Sequence, residues 1–311
     1  MGLLEEKIGA ARLSVYSNSL LVALKVIVGL LMGSVAVVAE GLHSGVDLLA
    51  AMIARYSVKK SSEPADHDHM FGHGKFENLS GLIEGALIFV AAAWIIYEAS
   101  VRILSKRPVE LLGAGMFVMA VSMFMNMVVS RRLARVAKKT ESLALEADAL
   151  HLSTDVWTSG GVLVALILIA LTGYQILDPV IAMAVAALII KAAFDVTRRS
   201  AQGLVDRSLP EDEIKVIEEV MKQHERDFVD FHRLRARKVG PERQIDLHLT
   251  IPRNLSVKEG HDLAEHIEHE IKKRLPNCVI VIHVEPCDEM CDRCRMTPPS
   301  NIFKGGEKPK T

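Results

Sequence analysis

The chain has 311 residues, half of them hydrophobic, with a mean hydropathy of +0.24 and a formal net charge of −1 at neutral pH. It is too apolar for an ordinary soluble protein, yet with 24% charged residues it is too polar to lie in a membrane throughout. A net charge of −1 says nothing about nucleic acid, and no basic stripe interleaved with aromatics argues for it, so no nucleic-acid partner is expected.

The charge is segregated along the chain. Residues 13 to 196 hold long apolar runs with charges mainly between them, whereas residues 206 to 311 are dense in Lys, Glu, Asp and His. This predicts a transmembrane domain over residues 1–205, a soluble domain over 206–290 and a tail rich in Pro, Gly and Lys over 291–311, which looks disordered. A helix needs about 20 mostly apolar residues to cross a lipid bilayer. Six stretches meet that need: residues 13–31, 35–58, 79–104, 111–129, 145–171 and 177–194. The first follows acidic residues, carries Ser17, Asn18 and Lys25, and lacks a small-residue cleavage site, so it reads as a span rather than a removed signal.

An even number of spans puts both termini on one side. Arg12, Arg55, Lys59, Lys60, Lys75, Arg131, Arg132, Arg135, Lys138, Lys139, Arg198 and Arg199 fall on that side, against little beyond Arg102, Lys106 and Arg107 opposite. The excess of Lys and Arg predicts cytoplasmic termini.

After Asp206, "LPEDEIKVIEEVMKQH" opens with Pro and acids and repeats apolar residues at helical spacing. "DFHRLRARKVG" and "RQIDLHLTIP" alternate as two strands of a hairpin turned at "GPER". "SVKEGHDLAEHIEHEIKKRL" is a second amphipathic helix, with Ser256 as its N-cap and Glu259 at the capping-box position. "CVIVIHVEP" closes as a strand expected to be buried. The order α-β-β-α-β predicts a small open-faced α+β domain, ferredoxin-like or metallochaperone-like, behind an all-α six-helix membrane bundle.

Two apolar runs each contain the same phrase, "EGLHSGVD" and "DALHLSTD". Residues four apart share a helix face, so His43 with Asp47, and His151 with Asp155, form two pairs, one per helix. If those helices meet, two imidazoles and two carboxylates converge in a set suited to tetrahedral Zn²⁺. Small residues on both helices, Gly41 and Gly45 against Ser159 and Gly160, permit close approach. A carboxylate at the bilayer centre costs about 2.5–3.5 kcal/mol on the gentler insertion scale, so the duplication favours a metal or proton site over incidental polar groups.

Two His-x-x-x-Asp helices at the second and fifth spans, followed by a soluble α/β domain, resemble the cation diffusion facilitator family of metal-ion/proton antiporters, which work as homodimers. The likeness runs from about residue 11 to 287 and is nearest to the bacterial ferrous-iron and zinc efflux branch. It implies that His43, Asp47, His151 and Asp155 are the transport site, with protons as counter-ion, in a multi-pass protein of the cell (inner) membrane. That branch commonly has Asp where this chain has His43, and the extra nitrogen favours Zn²⁺ while leaving Fe²⁺, Cd²⁺, Co²⁺ and Ni²⁺ open.

The resemblance extends to two further sites. In "ADHDHMFGHGKFE", Asp66, His69 and His73 match a second metal site of the family, the alternative being a solvated loop that raises local cation concentration. His232, His248, His261 and His283 match its cytoplasmic binuclear site, with Glu285 where Asp is usual. Lys75 resembles a position that pairs with an acid at the start of the soluble domain, here Asp206. Cys287, Cys291 and Cys294 have the spacing C-x3-C-x2-C, three thiols short of the usual four-ligand closure unless a His or a dimer mate completes it. A metalloenzyme would need an open coordination position, which four protein ligands do not leave, and a metal sensor would have no need of intramembrane ligands. The expected function is therefore export of a divalent cation, foremost Zn²⁺, against protons.

Overall fold

A computed structural model describes residues 2–32, 35–105, 113–174 and 176–288. They divide into two compact units, Met1–Val205 and Asp206–Thr311.

The first unit is helical: α1 (Leu3–Met32), α2 (Val35–Ser61), α3 (Lys75–Ser105), α4 (Gly113–Thr140), α5 (Leu143–Thr172) and α6 (Leu177–Leu204). These helices overrun the apolar runs at their polar ends. α4 continues through its Arg and Lys residues because Leu133, Val136 and Ala137 keep the helical spacing and are buried against Ala10 and Ala11 of α1 and Ala144 and Leu145 of α5. Among the described residues, three stretches are long and apolar enough to cross a membrane: Leu3–Val28, Lys75–Val101 and Pro179–Leu204. The polarity of the unit is inverted relative to a soluble protein. Leu20, Ile27, Val90, Trp94, Phe124 and Ile167 face outward, whereas Ser17, Asn18, Ser122, Asn126, Asp148 and His151 are buried. Such an arrangement is favourable only where the surroundings are hydrocarbon.

α1 packs on α2 and α4, and α2 and α4 each pack on α5. Alongside them α3 and α6 lie together, held close by glycines. A Cβ at Gly85 would stand 3.5 Å from the Thr197 Cα and collide with its side chain, and one at Gly81 would collide with the Ser200 hydroxyl. One buried carboxylate ties several helix ends together. Glu77, near the start of α3, pairs with Lys7 of α1 and accepts hydrogen bonds from Ser61 of α2 at 2.9 Å and from Ser142, the N-cap of α5, at 2.5 Å.

The second unit runs α7 (Glu211–Gln223), β1 (Asp230–Val239), β2 (Glu242–Ile251), α8 (Val257–Arg274) and β3 (Cys278–Pro286). The sheet order is β1-β2-β3, with β1 antiparallel and β3 parallel to β2. Gly240, at φ +60°, makes the tight turn of the hairpin with Pro241. Ile245, Leu247 and Leu249 of β2 pack with Ile217 and Met221 of α7 and Ile267 and Ile271 of α8. Only one sheet face is covered. β3 is therefore not buried on both sides as its composition suggested: Cys278 and Ile280 face the core, but Val279 and Val281 are about half exposed on the open face.

β1 carries a bulge. His232 pairs with His248, but the register shifts before Arg235 pairs with Asp246, and Arg233 takes φ +52°, a conformation unfavourable for a residue with a Cβ. The shift restores parity, so His232 stands on the open face together with Arg235 and Arg237, although they follow it by an odd number of positions.

The capping box of α8 is complete. Ser256 Oγ accepts from the Glu259 amide at 3.3 Å, and the Glu259 carboxylate accepts from the Ser256 amide at 2.7 Å. Ser256→Ala is expected to cost about 1 kcal/mol, read as faster hydrogen exchange in the first turn of α8. The Ser256 backbone and hydroxyl hold the Glu259 carboxyl below its ordinary range. Its contribution is thus present above that range and lost as pH falls through the depressed value.

Candidate metal centre

In the helical unit, Asp47 of α2 and His151 of α5 meet where those helices pack, with His151 Nε2 3.0 Å from Asp47 Oδ1. Both side chains are almost fully buried. Donors about 2.0–2.1 Å from a tetrahedral Zn²⁺ stand about 3.3 Å from one another, so this pair is close to the spacing of two ligands of one ion. With Asp47 ionised, the imidazole N–H of His151 donates to its carboxylate, so a proton holds together two groups that could ligate one ion. Asp155, one turn beyond His151, accepts at 3.1 Å from Asn126 Nδ2 of α4. His43 lies one turn before Asp47 on α2, but its side chain is outside the described part of the structure.

Asn126 did not stand out in the sequence. Its only signal is a lone amide among Met and Val in "MFMNMVV". Yet it orients Asp155 as the outer partners of metal ligands do. Lys25 of α1 donates to Ser44 of α2 at 2.7 Å, which makes it part of the buried polar interior rather than a side chain reaching for the interface.

The loop after α2 gathers a second group. Asp66 Oδ1 accepts from the amides of Asp68 and His69 at 3.0 and 2.7 Å, and its Oδ2 stands 3.1 Å from His73 Nε2. His69 Nδ1 is 3.5 Å from Asp66 Oδ1, and the His69 and His73 rings lie 4.6 Å apart. The His69 amide, followed by the charge of His73, holds the Asp66 carboxyl below its ordinary range. One donor atom from each of the three residues lies within 4.8 Å of the others. His67 and Asp68 extend into solvent away from this group. Lys75 donates to the Leu204 carbonyl at 3.4 Å in the helical unit, and Asp206 accepts from Arg237 at 2.9 Å in the other.

In the second unit, register aligns His232, His248 and His283 across the three strands. Glu285 spans two of them: Oε1 lies 3.0 Å from His232 Nε2 and Oε2 3.2 Å from His248 Nδ1. The extra methylene relative to Asp lets one carboxylate reach both imidazoles. The His248 hydrogen bond is the main cause of the Glu285 carboxyl lying below its usual range. His232, His248 and Glu285 place donors within 4.8 Å of one another, and the ring of His283 lies 4.7 Å from that of His248. His261 sits exposed near the start of α8, outside this group. Cys287 is buried just after β3, whereas Cys291 and Cys294 lie outside the described residues.

An inside-out helical bundle with a buried imidazole–carboxylate pair, followed by an open-faced domain, defines a multi-pass membrane protein built to handle cations. Residues 11–205 match the cation efflux transmembrane domain, and residues 209–287 the cytoplasmic domain of cation efflux proteins. The chain belongs to the cation diffusion facilitator family. It is 38% identical over 257 residues to an uncharacterized transporter of Synechocystis sp., a match covering 83% of each chain. With the cation-efflux pump FieF of Yersinia enterocolitica it shares 33% identity over 268 residues, covering 86% of this chain and 89% of that one. FieF of Serratia proteamaculans is likewise 33% identical, over 269 residues covering the same shares. The protein is thus a cation efflux transporter rather than an enzyme.

Proposed function

We propose that the protein exports Zn²⁺ from the cytoplasm in exchange for protons. It works as a homodimer in the cell (inner) membrane, with all six helices spanning and both termini cytoplasmic. His43, Asp47, His151 and Asp155 bind the transported ion. The observation that carries this reading is the 3.0 Å contact between His151 and Asp47, in which a proton holds together two groups that would otherwise share a metal. Zn²⁺ displaces that proton on loading, because its ligands bind deprotonated. Return of a proton to the pair on the far side weakens the metal's hold, and the inward proton gradient then drives export. The imidazoles favour Zn²⁺ over harder ions, with Fe²⁺ and Cd²⁺ as the next cargoes.

Asp66, His69 and His73, and separately His232, His248, His283 and Glu285, have the donor chemistry and spacing to hold resident Zn²⁺. Metal there favours one conformation of the dimer. In this reading Lys75 and Asp206 form a hinge pair, His261 joins the sheet histidines when metal is bound, and the cysteine tail is an accessory thiol site.

Zn²⁺ uptake into proteoliposomes tests the function. Uptake should follow an imposed pH gradient and stop when the gradient is collapsed with an ionophore. Gradient-independent uptake would remove the proton coupling. No flux with Zn²⁺, Fe²⁺ or Cd²⁺ would leave a metal sensor or scaffold as the better reading.

A further inference from the structure

Two buried carboxylates of the helical unit lie outside the clusters described above. Glu84 of α3 and Asp148 of α5 are each 0% exposed. Ser80 donates to Glu84 Oε1 at 2.8 Å, but Glu84 Oε2 and both oxygens of Asp148 have no hydrogen-bond partner. Lys7 pairs with Glu77 and His151 with Asp47, and among the described residues neither Glu84 nor Asp148 shares in an ion pair. Glu84 is near enough to feel the charge of Asp148, on a helix packed against its own, and Asp148 in turn senses Asp47 and His151. From another helix, the fully buried Ser14 hydroxyl of α1 is directed at Asp148 without completing a hydrogen bond of normal geometry.

Their level in the bundle follows from the helices that carry them. Asp148 comes three residues before His151, about 4.5 Å along the axis, and Glu84 seven residues after Glu77, about 10 Å along α3. The pair therefore lies between the Glu77 hub and the His151 cluster. Two carboxylates cannot both ionise there without a counter-charge, because each would carry a desolvation penalty of several kcal/mol. A single shared proton would leave most of the converging oxygens unsatisfied. A divalent cation would neutralise both charges and accept every oxygen, with water filling the remaining positions.

We propose that Glu84 and Asp148, with the Ser14 hydroxyl, form a second intramembrane cation site made only of oxygen donors, which a divalent cation occupies on its way to the His151 cluster. Its hardness differs from that of the histidine-bearing cluster, so it admits the cation on charge and leaves selection to the imidazoles. The place on a transport route rests on the carrier reading; the capacity to bind does not.

Mn²⁺, an ion suited to oxygen donors, is the probe. Bound Mn²⁺ would be counted by electron paramagnetic resonance on the full chain in lipid nanodiscs, comparing the unaltered protein with Glu84→Gln, Asp148→Asn and Asp155→Ala. The first two variants should each bind one Mn²⁺ per protomer at least about tenfold more weakly, while Asp155→Ala keeps it. Unchanged binding in both carboxyl variants overturns the proposal and assigns the pair to protons. Loss in Asp155→Ala overturns it by assigning the ion to the His151 cluster. If the carboxyl variants do not fold, Ser14→Ala and Ser80→Ala retain both charges and should weaken Mn²⁺ by about fivefold, no change again overturning the site. A failed carrier reading would appear separately, as absent flux in the unaltered protein with the Mn²⁺ result intact.

Discussion

Asp155→Ala is expected to abolish gradient-driven Zn²⁺ flux, with a loss of more than about 100-fold, and to leave the protein folded. Losing an outer partner of a metal ligand typically costs 10–100-fold, and Asp155 is proposed as a ligand itself. It is also held in place. Asn126 fixes its carboxylate from α4 while Asp47 and His151 meet across α2 and α5. Asn126→Ala should therefore produce a smaller loss, about 10–100-fold, and the loss should fall on affinity because both carboxylates remain. If Asn126→Ala were as damaging as Asp155→Ala, the amide would be a ligand or a folding requirement, and thermal unfolding in detergent separates those two. If Asp155→Ala transported normally, the duplicated His-x-x-x-Asp phrase would have no transport role. Isosteric Asp155→Asn is the useful intermediate, since it preserves volume and one oxygen donor while removing the charge that the metal must meet.

Gly85→Leu should be the most destabilising single change in the helical unit. Even a Cβ at this position collides with the Thr197 side chain, and the backbone of α6 lies directly behind it, so neither rotamer change nor local rearrangement makes room. Overpacking typically costs about 1–3 kcal/mol, more where backbone must move. The α3–α6 pair would have to separate, and with it the support that both give to α5, the helix bearing His151 and Asp155. Gly45→Ala and Gly160→Ala are the controls. A Cβ at either meets nothing within 4 Å, so the gain in helix propensity, about 1 kcal/mol, should leave them equal to or more stable than the unaltered protein. Thermal unfolding in one detergent reads both signs. Equal melting of Gly85→Leu and Gly160→Ala would mean that α3 and α6 do not depend on the close approach.

The apolar runs found the helices but not their ends. The apolar run ends at Val129, while α4 continues to Thr140 because Leu133, Val136 and Ala137 still have a core to enter. Periodicity registers amphipathic packing that hydropathy misses. Helix geometry alone puts four-apart residues on one face, and of the four residues so picked out the structure joins Asp47 to His151 across two helices, while Asp155 meets Asn126 instead. Asn126 was not legible, since its role depends on which helix lies beside α5. In the soluble part, the hairpin and the capping box followed from local residue types, whereas burial of β3 did not. Val and Ile alone cannot reveal that one sheet face remains uncovered. Four histidines had matching contexts, but register brings three into line and leaves His261 on a helix.

The bulge at Arg233 gives β1 one residue to spare. Arg233 and Leu234 together stand opposite the single Leu247, so loss of Arg233 would leave His232 opposite His248, Leu234 opposite Leu247 and Arg235 opposite Asp246 in an unbroken ladder. Every side chain would keep its face, and only the local bend and twist would relax. Elsewhere in β1 the strand has no such reserve, because a one-residue deletion there turns the side chains on one side of it to the opposite face. Sequence drift in the hairpin is therefore constrained in length everywhere except at the bulge, where one codon can be lost without moving His232 off the open face.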